Sequence, residues 1–362
     1  MTASDGTEVG SGRSSGAAGR LSTHVDLEAA LSDALESTDA AAFVHVGTAR
    51  DPRIRYLLSE TDDSTYAVAY DGDEWLVRTS AESGHPADRL AGALASEGTV
   101  LTPAQIPHDA ALYLENQGFE LASTDALERA RATKTSAERE RIEAAQQVAR
   151  AGIQRGAELL ATATTEDDSL VVDGEPLTVD HLRIAIDEAM VAAGGFPAGN
   201  TAIESVSGSQ LRPGEPIVVT VAPREPGGYH GSLARTFVAD GDGGRERRTH
   251  VGMTQAFRST QAMLTADTES VTAVEADLEA EIRAFGEDGP LETNVAGIGV
   301  EPAERPIAGA DDVAPGSVVR IDVTVSVGDG SLRIADLLAK DDDGVEWLAA
   351  PSRSLSPAMM LE

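Results

Sequence analysis

One stretch constrains this chain more than any other: Ile217 to Phe237, IVVTVAPREPGGYHGSLARTF. Ile217 to Val221 is a β-branched run, Pro223 to Gly228 is rich in turn formers, and Leu233 to Val238 is a second strand-like run. That order predicts a β-hairpin. Segments of helical and of strand period surround it. Thr135-Ser136-Ala137-Glu138 has the form of a capping box. Apolar residues then recur at helical spacing through Ile142, Ala145, Ala149, Ile153 and Leu160. Thr178 is placed to cap a second helix, through Leu182, Ala185, Ile186, Ala189 and Ala193, which Gly194-Gly195 stops. Val251 to Met263 and Val274 to Phe285 read as two more helices. Leu291 to Val300, Val318 to Val327, Leu332 to Ile334 and Glu346 to Leu348 read as strands.

Upstream, residues 24–127 alternate helix and strand. Val25 to Leu35 and Leu90 to Ser96 read as helices, Ala42 to Val46 and Val100-Leu101 as strands. Tyr66 to Tyr70 and Glu74 to Val77 form a hairpin around Asp71-Gly72-Asp73. Residues 1–22, rich in Gly, Ser, Thr and Ala, read as a disordered tail. The 362 residues therefore suggest two domains: a small α/β domain over 23–129, and a larger one over 130–362.

Composition narrows the function classes. There is no cysteine, so thiolate metal sites, thiol nucleophiles and disulfides are excluded. No run of 18 apolar residues is present, and the N-terminus lacks the pattern of a secretory signal, so a cytoplasmic protein with no membrane partner is expected. Acidic residues number 61 against 28 basic ones, a formal net charge of -33. No basic stripe is available to neutralise phosphates, so nucleic acid is not an expected partner. Such a charge strains a compact state through self-repulsion. Molar salt, with a Debye length of about 3 Å, screens it. A halophilic, archaeal source is the expectation.

Gly228-Tyr229 followed by Arg235-Thr236-Phe237 resembles the second metal motif of the creatinase/Xaa-Pro aminopeptidase family, the prolidase-like, pita-bread metallopeptidases. Arg131 to Glu138 is similar to the helix that opens that family's catalytic domain. Gly195 to Ile203 is similar to the strand leading to its pocket, and Asp51 to Leu58 to a turn in its N-terminal domain. The resemblance implies an α/β (α+β) fold: a creatinase-like small N-terminal α/β domain plus a C-terminal pita-bread domain. It also implies a centre of two divalent metals (Mn, Co or Zn) held by two Asp, one His and two Glu.

Set against that pattern, the positions are degenerate. Thr220 and Ser232 stand where the resemblance places the two Asp, Ala296 where it places the His, and Ala303 where it places a substrate-contacting His. Asp322 stands for one Glu and Ala335 for the other. Independently of alignment, His250 is the last histidine in the chain, and Glu204 to Glu215 contains none. With its cations gone, a cluster of buried carboxylates is costly, so the ligands are lost most easily together. No metal cofactor and no catalytic residue is therefore expected. The expected function is binding, of a peptide, small molecule or partner subunit, in a pocket lined by Thr220, Ser232, Asp322, Tyr229 and Ala296. The partner is another copy in a homodimer or an active paralogue in a heterodimer. The alternative is an active proline-directed aminopeptidase or dipeptidase with displaced ligands. His45, His85 and His230 are expected to serve packing or surface roles, His181 and His250 to be solvated, and Asp341-Asp342-Asp343 to be an acidic turn rather than a calcium loop.

The charge reading predicts that the thermal unfolding midpoint rises between dilute buffer and molar KCl; a flat midpoint contradicts it.

Overall fold

The computed structural model describes Leu21 and residues 25–94, 98–241, 243–309 and 311–361. They divide into two compact units after Thr124. The tail expected over 1–22 lies outside the described residues except for Leu21, which bridges to Leu58.

The first unit runs α1 (Val25–Thr38), β1 (Ala42–Thr48), α2 (Pro52–Leu57), β2 (Thr65–Tyr70), β3 (Trp75–Thr79), α3 (Pro86–Ala91), β4 (Thr99–Thr102), α4 (His108–Asn116) and β5 (Glu120–Ser123). Its sheet has the order β3-β2-β1-β4-β5. The β1–β2 and β2–β3 pairs are antiparallel, and the β1–β4 and β4–β5 pairs are parallel. The helix expected from Leu90 to Ser96 is instead α3, which begins earlier. Pro86 sits in its first turn, and the His85 side chain caps it by accepting from the Ala87 N–H. His45 is buried and bonds to Asp51 at 2.8 Å, and Asp51 in turn caps α2.

The second unit opens with α5 (Ala126–Ala130) and the 27-residue α6 (Ser136–Thr162). The capping box forms as its letters predict. The Thr135 hydroxyl accepts from the Glu138 N–H, and the Glu138 carboxylate accepts from the Thr135 N–H. A small sheet, β6 (Thr164–Glu166), β7 (Ser169–Val172) and β8 (Glu175–Pro176), leads into α7 (Val179–Ala192), which Thr178 caps. Then come β9 (Ala202–Ser205), β10 (Ile217–Val221), β11 (Leu233–Phe237), α8 (Arg245–Ala266), β12 (Glu269–Ser270) and α9 (Val271–Ala284). The unit ends with β13 (Leu291–Gly297), β14 (Glu304–Ile307), β15 (Asp312–Val313), β16 (Val318–Val327), β17 (Gly330–Asp341), β18 (Gly344–Trp347) and α10 (Pro357–Met360).

The main sheet has the order β14-β13-β16-β17-β11-β10-β9, with β18 also on β17. Two helix pairs cover it. One apolar cluster joins α6 and α7 to β10 and β11 through Ile153, Ile186, Val219 and Phe237. A second joins α8 and α9 to β13, β16 and β17 through Phe257, Leu278, Ile321 and Ile334. The two halves thus share one plan, a helix pair over antiparallel strands.

Two elements outrun their sequence signal. α8 starts at Arg245 rather than Val251, because its first turn is polar and the apolar period sets in only at Met253. β17 runs from Gly330 to Asp341 and not merely Leu332 to Ile334, because Ala335, Asp336, Ala339 and Lys340 interrupt the apolar pattern. The chain passes close to α6 at Gly231, just before β11, where a Cβ would fall 2.4 Å from the Ala145 carbonyl oxygen. Gly231→Ala is therefore expected to cost about 3 kcal/mol of stability, measured by denaturant unfolding in molar KCl. No measurable loss would mean that this approach is not tight.

Candidate functional site

The sheet register brings three of the singled-out positions, Thr220, Ala335 and Asp322, into one row. Ala202 pairs with Thr220, Thr220 with Ala234, Ala234 with Ala335, Ala335 with Asp322, and Asp322 with Asn294. Residues directly opposite on neighbouring strands share a face. Thr220, Ala335 and Asp322 therefore look out from the same side of the sheet. Ala296 is two residues from Asn294 and belongs to that side as well. The intervening residues Val219, Ile321, Val323, Val295 and Ile334 point the other way, into the cores beneath the helices. β16 shows the alternation plainly: Arg320, Asp322 and Thr324 on the open face, Ile321, Val323 and Val325 beneath.

At the centre of the row stands a cation made of protein. Arg333, two residues before Ala335, lies on the same face and forks onto Asp322. Its Nε donates to Oδ1 at 3.0 Å and its Nη2 to Oδ2 at 2.7 Å. Its Nη1 donates to the Thr220 hydroxyl at 3.4 Å. The Asp322 side chain is 7% exposed. Such a bidentate pair is the strongest form a side-chain hydrogen bond takes. The bond to Asp322, above all, holds the Arg333 pKa above its ordinary value, and Glu204 and Glu292 add to it. Arg320 approaches Asp322 Oδ2 at 3.7 Å and donates from Nη2 to the Asn294 side chain at 2.6 Å. The Thr236 hydroxyl fixes the Arg333 backbone, accepting its N–H at 2.7 Å and donating to its carbonyl at 3.1 Å.

This face borders a cavity of about 510 Å³ lined by Glu204, Glu292, Asn294, Arg320, Asp322, Thr324 and Arg333. Of the residues expected to line a pocket, Asp322 is in this wall, and Thr220 meets it through Arg333. The other three are not among its lining residues. Ser232 is buried, and its backbone N–H and carbonyl are both held by the Gln146 side chain. The buried Tyr229 hydroxyl bonds to Glu138 at 3.2 Å. Ala296 is buried on β13. Ala303 is exposed, beside Glu304, whose buried carboxylate pairs with Lys134 at 2.6 Å and with Arg131. Sequence reasoning missed Arg333, Arg320, Glu204 and Glu292. The signal was available for Arg333: spaced two from Ala335 on one strand, it had to share that face.

The donor set does not fit a pair of divalent ions. The row carries one carboxylate, and a fixed guanidinium already takes both its oxygens. Among the described residues no group of three His, Asp or Glu is placed to hold a metal.

The histidines divide. His181 is exposed as expected, and His230 is buried. His250, expected to be solvated, is instead partly buried. Burial first, then the charges of Arg235 and Arg353, push its pKa down to about 4 against a bond to the Arg353 backbone. Asp341-Asp342-Asp343 is the hairpin turn between β17 and β18, with Asp341 ion-paired to Arg139.

These features define a pita-bread fold preceded by a small α/β domain. The chain is similar in fold to prolidase from Pyrococcus furiosus, with TM-score 0.72 and 16% identity over 89% of this chain and 100% of that one. Xaa-Pro dipeptidase from Bacillus anthracis gives TM-score 0.75 and 14% identity over 92% and 99%. X-Pro aminopeptidase from Thermotoga maritima gives 0.73 and 15% over 89% and 99%. No family model and no curated protein matches the sequence.

A double-mutant cycle probes the central pair. Asp322→Asn strands the guanidinium and Arg333→Gln strands the carboxylate, so each is expected to cost about 1–3 kcal/mol. The double variant should cost less than their sum by 1 kcal/mol or so. Additive losses, read from unfolding midpoints, would show that the pair is not coupled.

Proposed function

We propose that this chain is a prolidase-like protein whose peptidase site has become a metal-free pocket, and that it acts by binding a peptide or small polar molecule. The Arg333–Asp322 fork carries this reading. A guanidinium supplies the positive charge that a buried carboxylate on this face requires, so no cation is needed there. The remaining wall offers recognition groups of both signs. Glu204 and Glu292 are exposed carboxylates, Arg320 is a partly exposed guanidinium, and Thr324 supplies a hydroxyl. Such a set suits a ligand that is polar along its length. On the row itself Asp322 is committed to Arg333, and Thr220 and Ala335 carry no base.

Metal content after purification tests the proposal. Protein produced with Mn, Co and Zn supplied, then dialysed against metal-free molar KCl, is expected to retain far less than one equivalent. It should leave alanyl-proline intact when Mn is added back. Stoichiometric metal together with hydrolysis would return the chain to the active Xaa-Pro peptidases with displaced ligands.

A further inference from the structure

The strands that carry the pocket also carry a second polar centre on their other face. Arg235 and Asp336 are fully buried, with Nη2 donating to Oδ1 at 2.6 Å. Arg235 also donates to the carbonyls of Ala335 at 3.0 Å, Pro351 at 3.0 Å and Ser352 at 3.1 Å. These bonds pin the segment 351–354 to the sheet. Arg353, on that segment, donates from Nε to the other Asp336 oxygen at 2.6 Å. One carboxylate thus serves two guanidiniums, and a positive charge is left over. Arg353 packs over the rings of Trp347 and Phe257, 4.5 and 4.7 Å from their centres. Among the described residues its Nη2 is buried without a hydrogen-bond partner.

Between this segment and α8 lies a cavity of about 490 Å³. Arg258, Arg353, His250, Trp347, Ser352 and Ser354 line it, and none of its lining residues is acidic. That is unusual in a chain with 61 acidic residues against 28 basic ones. Arg258 is exposed and makes no ion pair among the described residues. The Ser352 and Ser354 hydroxyls each accept a backbone N–H, at 3.3 and 3.2 Å, and keep their own proton to donate.

We propose that this cavity binds a small organic oxyanion, a phosphate ester or a carboxylate. Arg353 shares one carboxylate's charge with Arg235 and has a buried N–H without a partner among the described residues, Arg258 makes no ion pair among them, and two hydroxyls are held in place by a pinned backbone. An anion completes all of these at once. His250 stays neutral there and offers a polar contact without further charge. The cavity has the volume of a small-molecule site and an aromatic wall, so the anion carries an organic part. The site lies on the face opposite the pocket of the proposed function and does not depend on that reading.

The test uses the full chain in molar KCl with phenyl phosphate and benzoate as probes, each against a KCl control of equal ionic strength. At least one is expected to raise the unfolding midpoint and to bind with 1:1 stoichiometry by calorimetry. Phosphate and carboxylate sources are told apart by which probe does so. Arg258→Gln, at an exposed position that the fold does not need, is expected to weaken binding about tenfold. Arg155→Gln, an equal charge change on the exposed side of α6, is expected to leave it unchanged. The proposal is overturned if neither probe binds beyond the KCl control, or if the two variants weaken binding equally.

Discussion

The structure of the open face depends on one ion pair, the fork of Arg333 on Asp322. A carboxylate that is 7% exposed must have a cation beside it or give up its charge. Metal ions meet that need in a dinuclear centre, and then the surrounding acids are required to balance them. Here the guanidinium arrives along the neighbouring strand, in register, and brings a single charge to a single carboxylate. Once that balance holds, any second acid in the row is in excess. Thr220, Ala335 and Ala296 are what an electrostatically closed pair allows around it: small, neutral and able to pack.

The same strands place a second ion pair on the opposite face, and the contrast shows what each is for. Arg235 and Asp336 lie one residue from Ala234 and Ala335, so strand alternation sends them beneath the sheet. There Arg235 spends its donors on backbone carbonyls and fixes the segment after β18. Both partners are fully buried, and Arg235 ties three backbone carbonyls outside its own residue neighbourhood to the sheet, so this pair is bound to the fold. The Arg333 pair is held instead by side chains that border a cavity. Motif letters alone do not separate the two roles; the parity of each residue along its strand does.

Much of the scaffold was legible because its signals are local. The hairpin rests on a β-branched run and a turn-rich stretch, and α6 and α7 announce themselves by Thr135 and Thr178 at their caps. β17 was mostly hidden, since its buried alanines, Asp336 and Lys340 break the apolar pattern by which a strand is read. The first turn of α8 was hidden because it faces away from the core. Thr220, Ala335 and Asp322 were singled out by letter, and their gathering into one row needed the register across three strand pairings. The partnership of Arg333 with Asp322 spans the β16–β17 pair and is nonlocal in character. Ser232 and Tyr229 were assigned to a pocket by motif alone. Their bonds to Gln146 and Glu138 on α6 depend on how the helix lies across the hairpin, and no short sequence window carries that.

The chain's acidity bears on both cavities. A net charge of -33 creates a field that opposes the approach of any anion. In molar salt that field dies within about 3 Å, and only groups in contact with a ligand decide its binding. A cavity wall that carries Arg258 and Arg353 and has no acidic lining residue is then met by a ligand much as it would be in a neutral protein. The pocket on the other face is differently built: Glu204 and Glu292 line it together with Arg320 and Arg333, so that acidic and basic groups share one wall. The two faces of one sheet thus present walls of different charge composition, basic in the first cavity and mixed in the second.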